Sequence, residues 1–464
     1  MMSKLRTSPF LLLFLALTFL SLLTLIPGDI TLVGDLKTKK IDIIEDIRAA
    51  GDGSAVLQEQ SRINTAGIFD LGGNSDNLSY SAVISMNSVN ENSSAFYGGG
   101  TKGTKEISIE GDLSIFIKAL KNSSKEAVRI AYWGDSAIEG DHITADFREF
   151  MQKNYGGNGV GFVAMNTQDA SFRGTTKLTF SGDWDTKSAL SGNPKELVGA
   201  SGYVFIPKKD NSWAQFEGTF RYQTVREFNT ARLFYTDASG GSVKGMFGKT
   251  ETSKDLTKGG GVKVVTFSSS ANEKLFKLTV SKKEQAKFFG VSLEKGNGVY
   301  IDNFPLRGDD GMSILRIQGE SLKGFQDNQK YKLLIVHFGL NVLDKVKDFD
   351  KYEKDYTKVI DHLKTNMPGA NILIVSVGDR SQKKGNKFIT HPNVLKLVEV
   401  QRKVAKNTGV AFWNLFEAMG GEGAMEKWVN QKPALASQDY THFTEEGAKE
   451  VASLLFNAIK KLSK

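Results

Sequence analysis

Hydrophobic and polar positions divide this chain into stretches of different period. An uncharged apolar run fills residues 10–26, just after Lys4 and Arg6. Residues 29–105 are rich in Gly, Ser, Asn and Asp, keep little sustained period and end near Gly98-Gly99-Gly100. That composition predicts a flexible tether, with room for one short helix over 41–49. Ordered patterning begins near residue 106. Ile115, Ile117 and Leu120 predict a short helix over 113–121. A strand over 128–133 then runs straight into Gly134-Asp135-Ser136, and Phe147, Phe150 and Met151 mark a helix over 144–154.

From 166 to 295 no strong helical period survives. Short β-prone runs at 177–180, 202–206, 215–222, 232–235, 262–267 and 275–280 alternate with turn signals, which predicts an antiparallel sandwich. Strand and helix then alternate again. Strands are predicted at 299–303, 333–337, 371–377 and 410–413; the second and third are apolar throughout, as strands covered on both faces are. Val346, Phe349, Tyr352, Tyr356, Ile360 and Leu363 keep a helical spacing before Pro368-Gly369, and Val394, Leu397, Val400 and Val404 do so before Gly409. Thr444 is a fitting N-cap for a last helix that carries Glu445 and Glu446 in its first turn and continues through Ala448, Val451, Leu455 and Ile459. Such alternation predicts a mostly parallel, doubly wound α/β sheet, with functional residues beyond the carboxyl ends of its strands. The expected divisions are 1–28 (signal peptide or membrane anchor), 29–105 (tether), 106–165 (α/β domain, first part), 166–295 (inserted β-sandwich) and 296–464 (α/β domain, second part).

The N-terminus has the charged start and apolar core of an export segment. Pro27, Gly28 and Asp29 follow it in place of a small-residue cleavage site, so a cleaved signal and an uncleaved inner-membrane anchor both fit. The positive-inside rule leaves Lys4 and Arg6 in the cytoplasm and puts the remainder outside it, in the periplasm or cell envelope.

Composition adds exclusions. The 464 residues, 40% apolar and 24% charged, fit an ordinary globular protein of two or three units. The net charge of +8 comes from lysines spread along the chain, and no basic stripe marks a nucleic-acid partner. The absence of cysteine excludes disulfides, zinc–thiolate sites and a thiol nucleophile. The five histidines, His142, His337, His362, His391 and His442, include no pair at helical metal-ligand spacing, so no metal is expected. The glycines of residues 155–161 follow a helix and do not open one after a strand; they read as turn glycines, not a phosphate cradle. Trp184 and Trp213 read as sandwich core, with sugar stacking as the alternative.

Three loop sites carry candidate chemistry. Ser136, on a tight strand-to-helix turn, offers a hydroxyl and a free backbone N–H. Asp439 and His442 lie three residues apart before the last helix, so that a carboxylate can hold the imidazole while its other nitrogen faces out. Asn341, in Gly339-Leu340-Asn341, follows an apolar strand, and Gly308 follows another. Each fits a turn or cap equally well when taken alone.

In that order, these blocks resemble the SGNH (GDSL) hydrolase superfamily. The resemblance covers residues 111–165 and 296–464. It implies a flavodoxin-like three-layer α/β sandwich, a Ser136 nucleophile, a His442 base oriented by Asp439, and an oxyanion hole from the Ser136 and Gly308 N–H groups and the Asn341 amide. Within the superfamily, the surroundings of Trp133-Gly134-Asp135-Ser136, with Gly140-Asp141, Arg148, Gly159-Val160-Gly161-Phe162-Val163 and Gly378-Asp379-Arg380-Ser381, resemble bacterial peptidoglycan O-acetylesterases. Those carry an inserted jelly-roll-like sandwich similar to carbohydrate-binding modules. Two departures are Val342, where many members have an acidic residue, and His337, where a Gln is common. The resemblance implies an exported serine O-acetylesterase acting on an acetylated glycan, without a cofactor; a monomer is assumed. Asp135, His337 and Gly339 are expected as substrate contacts. An O-acetyltransferase, a deacetylase of another polysaccharide and an inactive wall-binding protein remain open.

Overall fold

Alternation along β1 (Ala127–Gly134) gives that strand two apolar faces, and the rest of the α/β domain is built on them. The computed structural model describes residues 103–463, and the backbone of 31–33 and 36–37, which pair as a two-strand antiparallel ladder. The expected export segment, the helix over 41–49 and most of the tether lie outside the described residues.

Helix α1 (Ser114–Lys121) precedes β1; a 3-10 turn (Ser136–Asp141), α2 (Thr144–Tyr155) and β2 (Asn158–Ala164) follow. Ten strands come next: β3 (Thr176–Phe180), β4 (Trp184–Ser188), β5 (Tyr203–Pro207), β6 (Ser212–Gly218), β7 (Phe228–Thr236), β8 (Ser242–Phe247), β9 (Thr250–Asp255), β10 (Lys263–Glu273), β11 (Leu275–Lys282) and β12 (Lys287–Lys295). The α/β pattern resumes with β13 (Gly298–Pro305), α3 (Gly319–Gln329), β14 (Leu333–His337), α4 (Phe349–Asn366) and β15 (Asn371–Val375). A hairpin, β16 (Ser381–Lys384) and β17 (Lys387–Thr390), is followed by α5 (Asn393–Thr408), β18 (Ala411–Trp413), α6 (Leu415–Met419), α7 (Ala424–Asn430) and α8 (Glu445–Ser463).

Five parallel strands form one sheet in the order β13-β1-β14-β15-β18. Counting only these five strands in chain order, this is a 2-1-3-4-5 order, the flavodoxin-like arrangement. Val128, Ile130, Tyr132, Ile335 and Val375 pack on one face with Phe147, Met151, Val451 and Leu455 of α2 and α8. Trp133, Leu334, Val336 and Ile374 face Phe325, Ile360 and Leu397 of α3, α4 and α5. The result is a three-layer α/β sandwich, with the order reversal at β1, and crevices at such reversals are where open α/β sheets place ligands.

Two antiparallel sheets interrupt it, β9-β8-β11-β6-β3 and β10-β7-β12-β5-β4. Phe267 and Phe276 bring their inner faces together, with ring centroids 5.5 Å apart. Trp184 is buried against Phe288, a core position. The second sheet also takes in β2, which pairs with β12 through Val163 opposite Val291 and Gly161 opposite Leu293. Gly159 and Gly161 are therefore strand residues, not the turn glycines that the sequence suggests. The reason is crowding: a Cβ on Gly161 would lie 2.5 Å from Asp302 Oδ1. Asp302 itself is fully buried and accepts from Phe162 N–H, Tyr331 Oη and Gln329 Nε2, which locks β2 to β13 and α3.

The outer face of that second sheet packs on α3. Phe325 lies 5.1 Å from Phe234, 5.6 Å from Phe289 and 5.7 Å from Phe162, ring centre to ring centre. Two folding units thus share one aromatic cluster. Phe325→Ala is expected to destabilise the protein by about 3–5 kcal/mol, the usual cost of emptying a buried aromatic site. A fall in the urea unfolding midpoint measures it; a loss below about 1 kcal/mol would mean the cluster is not shared core.

Candidate active site

The end of β1 delivers Ser136 to the first position of a 3-10 turn, where backbone N–H groups have no partner within the turn. Asp135 caps that turn by accepting from Ala137 N–H at 3.0 Å. Its carboxylate also receives the backbone N–H groups of Leu340 and Gly339. Burial raises its pKa, these hydrogen bonds and the charge of His442 pull it back, and it settles at about 6. Asp135 is only 2% exposed. It ties the serine turn to the Gly339-Leu340-Asn341 turn, and the expected role as a substrate contact does not fit that burial.

The segment before α8 places the second half of the site. Asp439 Oδ1 accepts from the backbone N–H groups of Thr441 (2.9 Å) and His442 (3.0 Å), and Oδ2 accepts from His442 Nδ1 at 2.7 Å. His442 Nε2 lies 3.1 Å from Ser136 Oγ. The intervening Tyr440 has a left-handed backbone (φ +56°), stacks its ring on Phe388 of β17 and accepts from Ser381 N–H. The hairpin therefore buttresses the turn. Partial burial works to raise the Asp439 pKa, but the hydrogen bonds from His442 and Thr441 prevail and hold it at about 2. The same hydrogen bond raises the His442 pKa, against partial burial. Both side chains are 49% exposed, so water reaches the pair.

Asn341 stands beyond β14 and Gly308 beyond β13, at the same end of the sheet as Ser136. Asn341 Nδ2 donates to the Asp309 carbonyl at 3.1 Å, joining its turn to the Gly308 loop. An amide carries two N–H donors, so one is left for another acceptor. Arg380 Nη1 donates to the Leu340 carbonyl and pairs with Asp344, bracing the same turn. Gly339 contributes its N–H to Asp135, not to an open surface. His337 points into the domain: it is 4% exposed, its Nδ1 lies 3.1 Å from Tyr132 Oη, and burial lowers its pKa to about 4. The expected substrate contact there is replaced by a core histidine, because the strand's alternation turns position 337 to the Tyr132 side.

Ser136 and His442 open into a cavity of about 190 Å³, walled also by Glu139, His142, Leu340 and Phe172. A neighbouring cavity of about 450 Å³ shares Glu139 and is lined by Gln168, Ser188, Tyr203 and Arg307. Two wall residues are not marked by the sequence pattern, and a buried charge cluster lies behind them. His142, whose pKa burial lowers, donates from Nε2 to the Phe443 carbonyl beside His442. Phe172 comes from the loop before β3. Asp141, fully buried, accepts from Arg148 at 3.1 and 3.3 Å and from Arg173 at 2.9 Å. Of that cluster, the family resemblance picks out only Gly140-Asp141 and Arg148.

A hydroxyl, an imidazole and a carboxylate in one hydrogen-bonded line, beside backbone and amide donors, form an arrangement able to transfer an acyl group. Residues 282–450 match the GDSL-like lipase/acylhydrolase family, a span that holds Gly308, Asn341, Asp439 and His442. A solved peptidoglycan O-acetylesterase has the same fold, with a TM-score of 0.64, 19% identity, and 77% of this chain and 99% of the other covered. An acetyl xylan esterase, AlAXEase, aligns at 16% identity over 34% of this chain and 81% of its own, with a TM-score of 0.28. A family two carbohydrate esterase from Clostridium thermocellum aligns at 10% identity over 61% and 98%, with a TM-score of 0.27. No curated protein matches the chain. The family match covers residues 282–450, and the fold is shared with the solved peptidoglycan O-acetylesterase.

The hydrogen bond to Asp439 should be visible in the His442 ring. Followed by NMR, the imidazole is expected to keep its proton to a pH above the ordinary 6.5, and Asp439→Asn to lower that titration point. An unmoved titration in the variant would detach Asp439 from the ring.

Proposed function

We propose that this chain is an exported serine esterase that removes O-acetyl groups from a cell-wall glycan, with the acetylated muramic acid of peptidoglycan as substrate. The observation that carries the reading is the line Asp439–His442–Ser136, at 2.7 and 3.1 Å, open to a cavity. His442 Nε2 takes the proton of Ser136 as its Oγ attacks the ester carbonyl. The tetrahedral oxyanion is received by the Ser136 and Gly308 N–H groups and the free Asn341 amide hydrogen. His442 then protonates the departing sugar oxygen. Water, activated by the same imidazole, releases acetate and restores the serine. The exposed triad favours water over a second acceptor, and no step needs a cofactor.

Support for the substrate is architectural. The fold shared with the peptidoglycan O-acetylesterase extends over nearly all of that protein. Support for export is the apolar run at 10–26 behind Lys4 and Arg6.

Acetate release from O-acetylated peptidoglycan, beside acetylated xylan, tests the reading. Wild type should act on peptidoglycan, and Ser136→Ala should lower kcat by up to roughly 10⁶-fold. Near-wild-type release by that variant would sink the mechanism. Asn341→Ala should cost on the order of 10²–10³-fold in kcat, with the larger effect on kcat than on KM. Because His442 must be neutral to accept a proton and Asp439 raises its pKa, kcat/KM should climb with pH through an inflection above 6.5. A rate that falls across that range would contradict a histidine base.

A further inference from the structure

Phe172 is 56% exposed, and among the described residues it is the one large apolar residue so exposed that also lines the cavity of Ser136 and His442. It does not belong to either half of the α/β domain; it sits between β2 and β3. A lone exposed apolar residue is ordinary, but one on the wall of this cavity offers an apolar face to whatever binds there.

The ring is held on a rigid mount. Its own N–H and that of Arg173 both donate to the Asp169 carbonyl, at 3.1 and 2.9 Å. Asp169 Oδ2 accepts from Gly140 N–H at 3.0 Å, and Arg173 pairs with the buried Asp141. Gly140, at φ +64°, lies directly beneath: a Cβ there would come within 2.7 Å of the Phe172 ring. The serine turn thus leaves a gap that the ring fills, and a buried ion pair fixes the distance between the ring and Ser136.

The surroundings identify what covers it. A cavity of about 190 Å³ at Ser136 has room for an acetyl ester and little more. Beyond the ring the surface is polar: a small recess shared with Phe172 carries Asp146, Arg221 and Glu445. On that side those charges deny a long acyl chain an apolar continuation. An apolar face flanked by hydrogen-bonding groups matches a sugar ring, whose C–H face is apolar and whose edge is hydroxylated. We propose that Phe172 is a specificity-determining residue that stacks on the pyranose ring bearing the scissile acetyl group or on its neighbour. This rests on the carbohydrate esterase reading above and assigns the sugar contact to this side chain.

The test compares acetate release from soluble O-acetylated peptidoglycan fragments with release from ethyl acetate, which has no ring to stack. For Phe172→Ala, kcat/KM on the fragments should fall roughly tenfold more than on ethyl acetate, mainly through KM. Phe172→Leu should behave like the alanine variant, and Phe172→Tyr should restore the fragment activity. Unchanged thermal unfolding confirms that the exposed position does not carry the fold. Equal losses on both substrates would make the residue a wall of the acyl cavity and overturn the proposal. A wild type active on the fragments but indifferent to Phe172→Ala would overturn it alone. A wild type that hydrolyses ethyl acetate and neither the fragments nor acetylated xylan would overturn the carbohydrate reading and this inference with it.

Discussion

Asp141 is the carboxylate on which the site's geometry depends. It is fully buried, and its oxygens are taken by Arg148, Arg173, Thr144 and Thr175. Burial alone would raise its pKa; the two guanidinium groups overcome that and keep it ionised. Arg148 also donates to the Ile301 carbonyl of β13, at 2.7 and 3.2 Å. One charge therefore joins the serine turn, helix α2, the loop before β3 and the strand that leads to Gly308. Such a buried cluster is not cheap stability, since apolar residues of similar volume often do as well. What it supplies is position. Loss of one member leaves an unpaired buried charge, so alternative placements of the loop against the serine turn are heavily disfavoured.

The β-rich insertion is held at its edges as well. Two glycines separate α2 from β2, and two residues separate β12 from β13. Between those links β2 and β12 pair with each other. With Asp302 locking β2 to β13 and Phe325 seated among three sandwich rings, the second sheet is braced by the α/β domain at its edge and across one face. A cavity wall built on such a base keeps its distance from the serine, which is what a wall must do if it is to select among substrates by shape.

The parallel sheet was legible because buried parallel strands are largely apolar and end at polar turns; β14 and β15 read this way, as does β1 but for Arg129. The D-x-x-H spacing was legible because it is local: three residues on one turn fix the Asp439–His442 contact. Several sandwich strands were not. The whole of β9 is exposed and polar, so no alternation marks it. β12 is buried on both faces, between the other sandwich sheet and α3, and lost its period for the opposite reason. Helix α3, a polar sequence around one phenylalanine, carried too little apolar pattern. Site residues divide in the same way. Roles carried by a local turn could be read, whereas His337, Asp135 and Phe172 depend on what lies across the fold: a tyrosine on the neighbouring strand, two N–H groups from another turn, and a glycine in the serine block.

Two carboxylates act on the same imidazole, and their environments separate their parts. Asp439 is half-exposed, accepts three hydrogen bonds and stays ionised far below neutral pH, so it can orient His442 and balance its charge at any working pH. Asp135 is buried and titrates near 6; its charge also favours the protonated imidazole, but it makes no direct hydrogen bond to the ring among the described residues. Its hydrogen bonds go to the backbone of the serine turn and of the Asn341 turn. Protonating Asp135 would weaken the clamp that holds the Ser136 and Asn341 turns in register, just as acid also protonates His442. Under the proposed mechanism these are two linked events, protonation of the imidazole and loosening of the turns beside it, because one buried group couples them.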